Sequence, residues 1–313
     1  MEMNRIDPAL RTATTRLPVP NMARSFIRKG VRLAMRFIPA RDVPGVKSYP
    51  ERIGRMRVQV YRPEGPPPRG GLLWVHGGGF VIGSWRQDHR HCAEIARELG
   101  IVVVSVDYRL APEHPFPAAL DDVHRAWIWM QTRADTLGVC KDRIAVGGES
   151  AGGGLAAGLA QRLRDEQAVQ PVAQWLYAPM LDDRTAANGA LDELDHWVWN
   201  NASNRVGWSA YLGHAPGTVS VPSYAVPARC DDLAGLPATW IGVGDIDLFH
   251  DEDARYAARL HDAGVQTMLD VVPGGPHGFE NWAADSEPAR AFRRRASEWL
   301  SDTLTATTSH GPA

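Results

Sequence analysis

The run Gly148-Glu149-Ser150-Ala151-Gly152 is the part of the sequence whose residue types and spacing point most directly to chemistry. It follows a short apolar run, residues 144–146, and precedes a segment rich in alanine and glycine, so it predicts a tight turn from a strand into a helix. Such a turn strains the backbone at the serine and accepts only very small neighbours. The serine hydroxyl would then lie at the amino end of a helix, whose dipole favours developing negative charge. The run therefore predicts Ser150 as a nucleophile.

A second glycine run, His76-Gly77-Gly78-Gly79-Phe80, follows the apolar run 72–75. Glycines allow successive backbone N–H groups to approach an oxygen atom that becomes negatively charged during acyl transfer. We therefore predict an oxyanion hole formed by the N–H groups of Gly78, Gly79 and Ala151. A phosphate-binding loop is the alternative, but no Lys-Ser or Lys-Thr follows the glycines, as that loop requires.

A serine nucleophile also needs a base and an acid, which follow it along the chain in the order serine, acid, histidine on this type of fold. His277 is the predicted base, because it follows the apolar run 267–272 through a loop of proline and glycine. His250 is a rival, but it lies beside the loop that should carry the acid. That acid should follow the apolar run 239–243, where the residues alone leave three candidates open: Asp245, Asp247 and Asp251.

The elements that must position these residues alternate along the chain. Strands are predicted at 55–61, 72–75, 101–106, 144–146, 172–177, 239–243 and 267–272, and all but the first read as buried strands. Helices are predicted at 88–99, 118–133, 151–166, 252–263 and 289–300. Strands alternating with helices predict an α/β fold, with a mostly parallel sheet flanked by helices on both faces.

We expect one catalytic domain, residues 49–182 and 229–302, and a helical cap over the site. The cap would combine N-terminal helices in residues 1–48 with an insertion at 183–228, and residues 303–313 would form a frayed tail. The insertion is rich in aromatic residues that we expect on short helices, and they are candidates either for the core of the cap or for the walls of a substrate pocket: Trp197, Trp199, Trp208 and Tyr211.

Residues 22–38 combine apolar side chains at helical spacing with five basic residues. A basic amphipathic helix of this kind can contact an anionic membrane. The apolar side of such a helix more commonly packs on the rest of the protein, and that is the expectation here. No stable membrane association is expected, because no stretch approaches the roughly 20 apolar residues of a membrane helix.

The formal net charge of -2 leaves no overall electrostatic attraction for nucleic acid, so a small neutral partner is expected. Three dispersed cysteines and the lack of a signal peptide predict a cytoplasmic protein, and oligomerisation is left open. A metal site at Asp88, His89, His91 and Cys92 is rejected because the two histidines would point to different sides of a helix. A dinucleotide site at 152–157 is rejected because those glycines lie inside the helix. No cofactor and no metal are predicted.

Together these motifs resemble the hormone-sensitive-lipase-like esterases of the α/β-hydrolase superfamily, from about residue 61 to residue 299. The run DYRLAPEHPFPA at 107–118 is similar to that family's block after the third strand, and Pro276-His277-Gly278-Phe279 is similar to its histidine loop. The segment DLFHDE at 247–252 is similar to the family motif D-P-L-x-D-E, whose first aspartate is catalytic. The resemblance therefore selects Asp247, and it implies a cap at the two positions given above. Leu248 replaces the usual proline and Glu149 a common aspartate, and neither change removes a catalytic atom.

The expected function is hydrolysis of small carboxylic esters through an acyl-enzyme, because three triad positions and a glycine turn coincide. A cap over a closed pocket favours short acyl chains. Two alternatives are an amide, lactone or carbamate hydrolase with the same triad, and a hydrolase-fold ligand receptor without catalysis.

Overall fold

The computed structural model describes residues 1–17 and 22–306, and within these ranges eight strands form one sheet. The strands are β1 Val46–Ile53, β2 Met56–Pro63, β3 Gly71–Val75, β4 Val102–Asp107, β5 Ile144–Glu149, β6 Ala173–Tyr177, β7 Ala238–Gly244 and β8 Thr267–Val272. Their order is β1-β2-β4-β3-β5-β6-β7-β8. The pairs β1–β2 and β2–β4 are antiparallel and all other pairs are parallel, so the predicted α/β class with a mostly parallel sheet is confirmed.

The α-helices of the described ranges are α1 Pro8–Thr14, α2 Ser25–Met35, α3 His89–Leu99, α4 Ala118–Thr132, α5 Ala134–Leu137, α6 Ala151–Asp165, α7 Asp183–Ala187, α8 Asn201–Leu212, α9 His250–Asp262, α10 Phe279–Trp282 and α11 Glu287–Thr305. Strand β3 shows how they cover the sheet. Leu73 and Val75 belong to the hydrophobic cluster that includes residues of α4 and α6. Leu72 and Trp74 belong to a second cluster, with residues of α3 and α11. Because alternate side chains of a strand point to opposite faces, helices cover both faces of the sheet.

The start of the sheet, the exposure of β8 and the end of the last helix differ most from the sequence predictions. The sheet begins at Val46 rather than at residue 55, and β1 tolerates Pro50 because it is an edge strand. Strand β8, predicted to be buried, is the opposite edge, where Met268 is 48% and Leu269 37% exposed. Helix α11 continues to Thr305, into the segment predicted as a tail, while the remaining tail residues 307–313 lie outside the described residues.

The segments predicted to form a cap contain α1 and α2 on the N-terminal side and α7 and α8 in the insertion. Trp197 and Trp199, expected on short helices, instead lie in the irregular segment before α8. Among the described residues, no helix has the length and hydrophobicity needed to cross a membrane.

Candidate active site

Ser150 stands at the junction of β5 and α6, in the turn that the glycine pattern predicts. Its φ of 56° and ψ of -121° are unusual for a residue with a side chain, so the turn stores backbone strain at this position. A β-carbon at Gly148 would lie 2.6 Å from the Val75 carbonyl oxygen, and one at Gly152 would collide with the same oxygen. The two glycines therefore allow α6 to approach the end of β3 closely. Ser150 itself is buried.

His277 lies between Ser150 and Asp247. Its Nε2 is 3.0 Å from Ser150 Oγ, and its Nδ1 is 2.8 Å from Asp247 Oδ2. Because a carboxylate accepts hydrogen bonds, Nδ1 carries the proton, and Nε2 is left to accept from the serine hydroxyl. The second oxygen of Asp247 accepts a 3.0 Å hydrogen bond from the Phe249 backbone N–H. This arrangement allows a proton to pass from Ser150 to His277 while the carboxylate stabilises the imidazolium.

The structure separates the three aspartates that the residues alone left open. Asp245 is exposed, and its Oδ1 accepts a 2.6 Å hydrogen bond from the Gly274 backbone N–H, which anchors the loop that carries His277. Asp251 is exposed and contacts His250 at 2.9 Å, on the first turn of α9. Only Asp247, of these three, contacts His277.

The pKa of His277 reflects two opposing effects. Burial lowers it, because the charged imidazolium is poorly solvated, whereas the charge and hydrogen bond of Asp247 raise it. The result is a pKa above the ordinary histidine value. A base of this kind is neutral, and able to accept a proton, only above that raised pKa.

The predicted oxyanion turn follows β3. Gly79 has a φ of +57°, a conformation that favours glycine. The N–H groups of Gly78, Gly79 and Ala151 donate no hydrogen bond to another described residue. Three backbone donors are thus unoccupied on the two turns beside Ser150.

His76, at the start of this turn, is packed rather than poised for proton transfer. Its ring stacks on Tyr108 with centroids 4.2 Å apart, and Tyr108 Oη donates a 3.0 Å hydrogen bond to the His76 carbonyl. Burial lowers the pKa of His76, so its ring is neutral at pH 7.

The four candidate pocket aromatics have different surroundings. The indole of Trp199 covers the oxyanion turn, since a β-carbon at Gly79 would collide with its six-membered ring. Trp208 and Tyr211 lie on α8 and contact Phe80, with ring centroids at 5.2 and 4.0 Å. Trp197 is partly buried against the cluster that includes α3 and α11. Trp199 thus lies against Gly79 of the predicted oxyanion turn.

Two residues that the sequence reasoning did not single out hold the histidine loop. Asn281 Nδ2 donates a 2.6 Å hydrogen bond to Glu149 Oε2, and Trp282 Nε1 donates a 2.9 Å hydrogen bond to the His277 carbonyl. Both follow His277 within a few residues, so their proximity in sequence was the available signal. Burial and the charge of Glu280 raise the pKa of Glu149.

The rejected metal site has a different role. Asp88 Oδ2 accepts a 2.7 Å hydrogen bond from Trp74 Nε1, while His89 contacts Tyr61 Oη at 3.1 Å and the Arg41 carbonyl at 2.9 Å. Within residues 1–17 and 22–306, no group of three metal-ligating side chains is close enough to hold an ion.

Known proteins resemble this chain in sequence and in structure. A family model described as the alpha/beta hydrolase fold matches residues 72–281. Carboxylic ester hydrolase LipN of Mycobacterium tuberculosis (strain ATCC 25618 / H37Rv) is 34% identical over 241 residues, which cover 75% of this chain and 63% of that protein, less than two thirds of its length. Ethyl acetate hydrolase of Pseudomonas putida is 32% identical over 249 residues, 74% of each protein. The solved structure of a bacterial heroin esterase has a TM-score of 0.85 at 34% identity, covering 96% of this chain and 99% of that one.

The chain belongs to the α/β-hydrolase family, as the sheet and the family match both indicate. Within that family it resembles the hormone-sensitive-lipase-like esterases, and the relatives reported above are named as ester hydrolases.

Proposed function

We propose that this enzyme hydrolyses small, short-acyl carboxylic esters by two-step acyl transfer. Ser150 attacks the ester carbonyl while His277 takes its proton, and Asp247 stabilises the imidazolium. The imidazolium then protonates the departing alcohol, leaving an acyl-serine, and water repeats the attack with His277 again as base. The observation that carries the proposal is the continuous hydrogen-bond chain from Ser150 Oγ through His277 to Asp247, at 3.0 and 2.8 Å.

Charge develops on the carbonyl oxygen in each step, and we assign its stabilisation to the backbone N–H groups of Gly78, Gly79 and Ala151. Their lack of other hydrogen-bond acceptors among the described residues supports this assignment. Donors already oriented toward the developing charge stabilise the transition state without reorganising during the reaction.

The preference for short acyl chains follows from Trp199. Its indole is 7% exposed and lies against Gly79, so little room remains beside the proposed oxyanion hole for a long chain. A relative that hydrolyses ethyl acetate, a two-carbon acyl ester, supports the same preference.

Residues 1–48 and 183–228 together form the proposed cap. The backbone N–H of Asp7 donates a 3.0 Å hydrogen bond to the Gly274 carbonyl in the histidine loop. On the insertion side, a β-carbon at Gly207 of α8 would lie 2.7 Å from the Gly79 carbonyl oxygen, so this helix packs closely on the oxyanion turn. Both parts of the cap thus contact loops that carry proposed site residues.

The test is a series of initial rates on p-nitrophenyl esters from acetate to palmitate, with wild-type enzyme and Ser150→Ala. We expect turnover to peak at short chains and to fall by a factor of about 10⁴ or more in the variant. Ser105→Ala, at a buried serine of β4, is the matched control and should retain near-normal turnover.

Near-normal turnover by Ser150→Ala would defeat the nucleophile assignment. A peak at long chains would refute the short-acyl preference, and wild-type activity on amides or lactones without ester activity would refute ester hydrolysis.

A further inference from the structure

Helix α2 and the turn after it have two apolar faces, and one of them packs against the rest of the protein. Ile27, Val31, Met35 and Ile38 are half-buried. Val31 and Met35 pack on the small cluster that includes Val81, next to the proposed oxyanion turn. The expectation that the apolar side chains of residues 22–38 cover the rest of the protein therefore holds for this inner face alone.

The outer face carries large apolar side chains that contact solvent. Phe26 is 67%, Leu33 57% and Phe37 76% exposed. Phe26 and Leu33, seven residues apart, lie on one side of α2, and Phe37 lies in the turn that directly follows the helix. All seven phenylalanines of the sequence lie within the described ranges, and Phe26 and Phe37 are the exposed ones. Attachment of α2 to the protein does not need this second apolar face, which points to an external partner.

The outer face also carries basic side chains. Residues 8–40 contain seven basic residues and no acidic one, although the whole chain has a formal net charge of -2. Lys29 and Arg36 lie on the exposed side of α2, beside Leu33. Neither forms an ion pair with a carboxylate of the described residues.

A basic cavity of about 890 Å³ opens next to these residues. Six basic side chains line it: Lys29, Arg32, Arg36, Arg57, Arg86 and Arg109. Two carboxylates, Asp107 and Glu113, also line it, and Glu113 pairs with Arg32 at 2.8 Å. Arg109 is neutralised by Asp122, also at 2.8 Å. The remaining excess of positive charge suits an anionic headgroup.

We propose that the outer face of α2 binds the surface of a membrane that contains anionic phospholipid. Phe26, Leu33 and Phe37 would enter the boundary between headgroups and acyl chains, while Lys29 and Arg36 contact lipid phosphates. The helix would lie in the plane of the membrane surface. An apolar stripe flanked by cations is the pattern that such interfacial helices use.

Charge favours a membrane over a second copy of the chain as the occupant. Pairing two copies through this face would bring Lys29 and Arg36 of one copy near the same cations of the other, and like charges across an interface are unfavourable. An anionic surface instead satisfies the apolar and the basic side chains together.

Helix α2 is itself bonded to the rest of the protein, so a membrane that binds its outer face would hold the whole enzyme. Arg32 Nε donates a 2.7 Å hydrogen bond to the Val81 carbonyl, and its Nη1 pairs with Glu113. The first bond fixes α2 to the segment that follows the proposed oxyanion turn, and the second fixes it to the segment that follows β4.

The test is co-sedimentation of the full-length enzyme with vesicles of phosphatidylcholine alone or with about one third phosphatidylglycerol. We expect binding only with phosphatidylglycerol, weakening as salt rises from about 0.05 to about 0.5 M. Phe26→Ser with Phe37→Ser should lower the partition coefficient at least about tenfold, because two buried aromatic side chains are lost. Lys29→Glu with Arg36→Glu should lower it by a similar factor.

The matched control is Ile128→Ser with Val219→Ser, which removes two side chains that are 43% and 103% exposed elsewhere on the surface. It should bind vesicles like the wild type. Thermal unfolding scans report whether each variant is folded, since all of these positions except Ile128 lie in the proposed cap, where a substitution can itself alter turnover.

Three outcomes would overturn the proposal. The first is equal sedimentation with both vesicle types, and the second is undiminished binding by the phenylalanine variant. The third is a wild-type dimer, seen by light scattering and lost in that variant, without vesicle binding, which would assign the face to a second copy of the chain.

Discussion

Replacing Trp199 by alanine should change which acyl chains the enzyme accepts. The indole covers Gly79 and is 7% exposed, so its removal opens space beside the proposed oxyanion hole. Its Nε1–H is buried without a hydrogen-bond partner among the described residues, so the substitution breaks no hydrogen bond of the side chain. The substitution is therefore expected to act by enlarging the space available to the acyl chain.

The size of the effect follows from the free energy of burying methylenes. Hexanoate has four more methylenes than acetate, and each fully buried methylene contributes about 0.8 kcal/mol. If the opened space buries all four, the gain of about 3 kcal/mol corresponds to about 200-fold in kcat/KM. Partial burial lowers the gain, so we expect the hexanoate-to-acetate ratio in Trp199→Ala to rise between about tenfold and about 200-fold.

The assay measures kcat/KM for p-nitrophenyl acetate, butyrate and hexanoate with wild type, Trp199→Ala and Trp197→Ala. Trp197 is a matched control, because it lies two residues away in the same segment but packs against the cluster of α3 and α11. Thermal unfolding of each variant checks that the loss of an indole, worth up to about 3–5 kcal/mol, has not unfolded the protein. A hexanoate-to-acetate ratio within about twofold of wild type, or an equal rise in Trp197→Ala, would refute the reasoning.

Two further predictions concern proton equilibria. In Asp247→Asn, burial acts on His277 without the opposing carboxylate, so the pKa of His277 should fall. The acid limb of the kcat/KM profile should then move to lower pH while the maximal rate drops by about 10³ to 10⁴; a limb that stays in place would contradict the assigned pairing. Burial also raises the pKa of Glu252 from 4.5 to about 8. Between these values the folded state holds a proton that the unfolded state has released, so this group makes stability fall as pH rises. In thermal unfolding scans, the melting temperature of Glu252→Gln should therefore fall less than that of wild type between about pH 5 and about pH 8. An equal fall in both proteins would exclude this role.

Much of the fold could be predicted from periodicity, because each buried strand and its following helix impose a pattern over a few residues. The predictions failed where exposure or strand formation depends on a strand's position in the sheet. β8 has the composition of a buried strand, yet it pairs with β7 alone and exposes Met268 and Leu269. β1 contains Pro50, which reads as a strand breaker until its edge position is known.

The proposed site likewise combines a feature that is local in sequence with contacts between residues far apart in sequence. The requirement for Gly148 and Gly152 beside Ser150 is local, because a single turn sets which atoms would collide, and the sequence by itself was sufficient to predict it. The pairing of His277 with Asp247 joins residues 30 positions apart, and its contact with Ser150 spans 127 positions. The residues alone leave three aspartates open, and without tertiary structure only the resemblance to a family selects one of them.

The amino-acid sequence thus determined the class of fold and the tight turn at Ser150, since these depend on backbone sterics and periodicity within short segments. Tertiary structure alone decided that Trp199 rather than Trp208 covers Gly79, and that Phe26, Leu33 and Phe37 remain in contact with solvent. The physical reason is that burial and contact depend on which distant segments pack together, and residue types at helical spacing do not specify that packing.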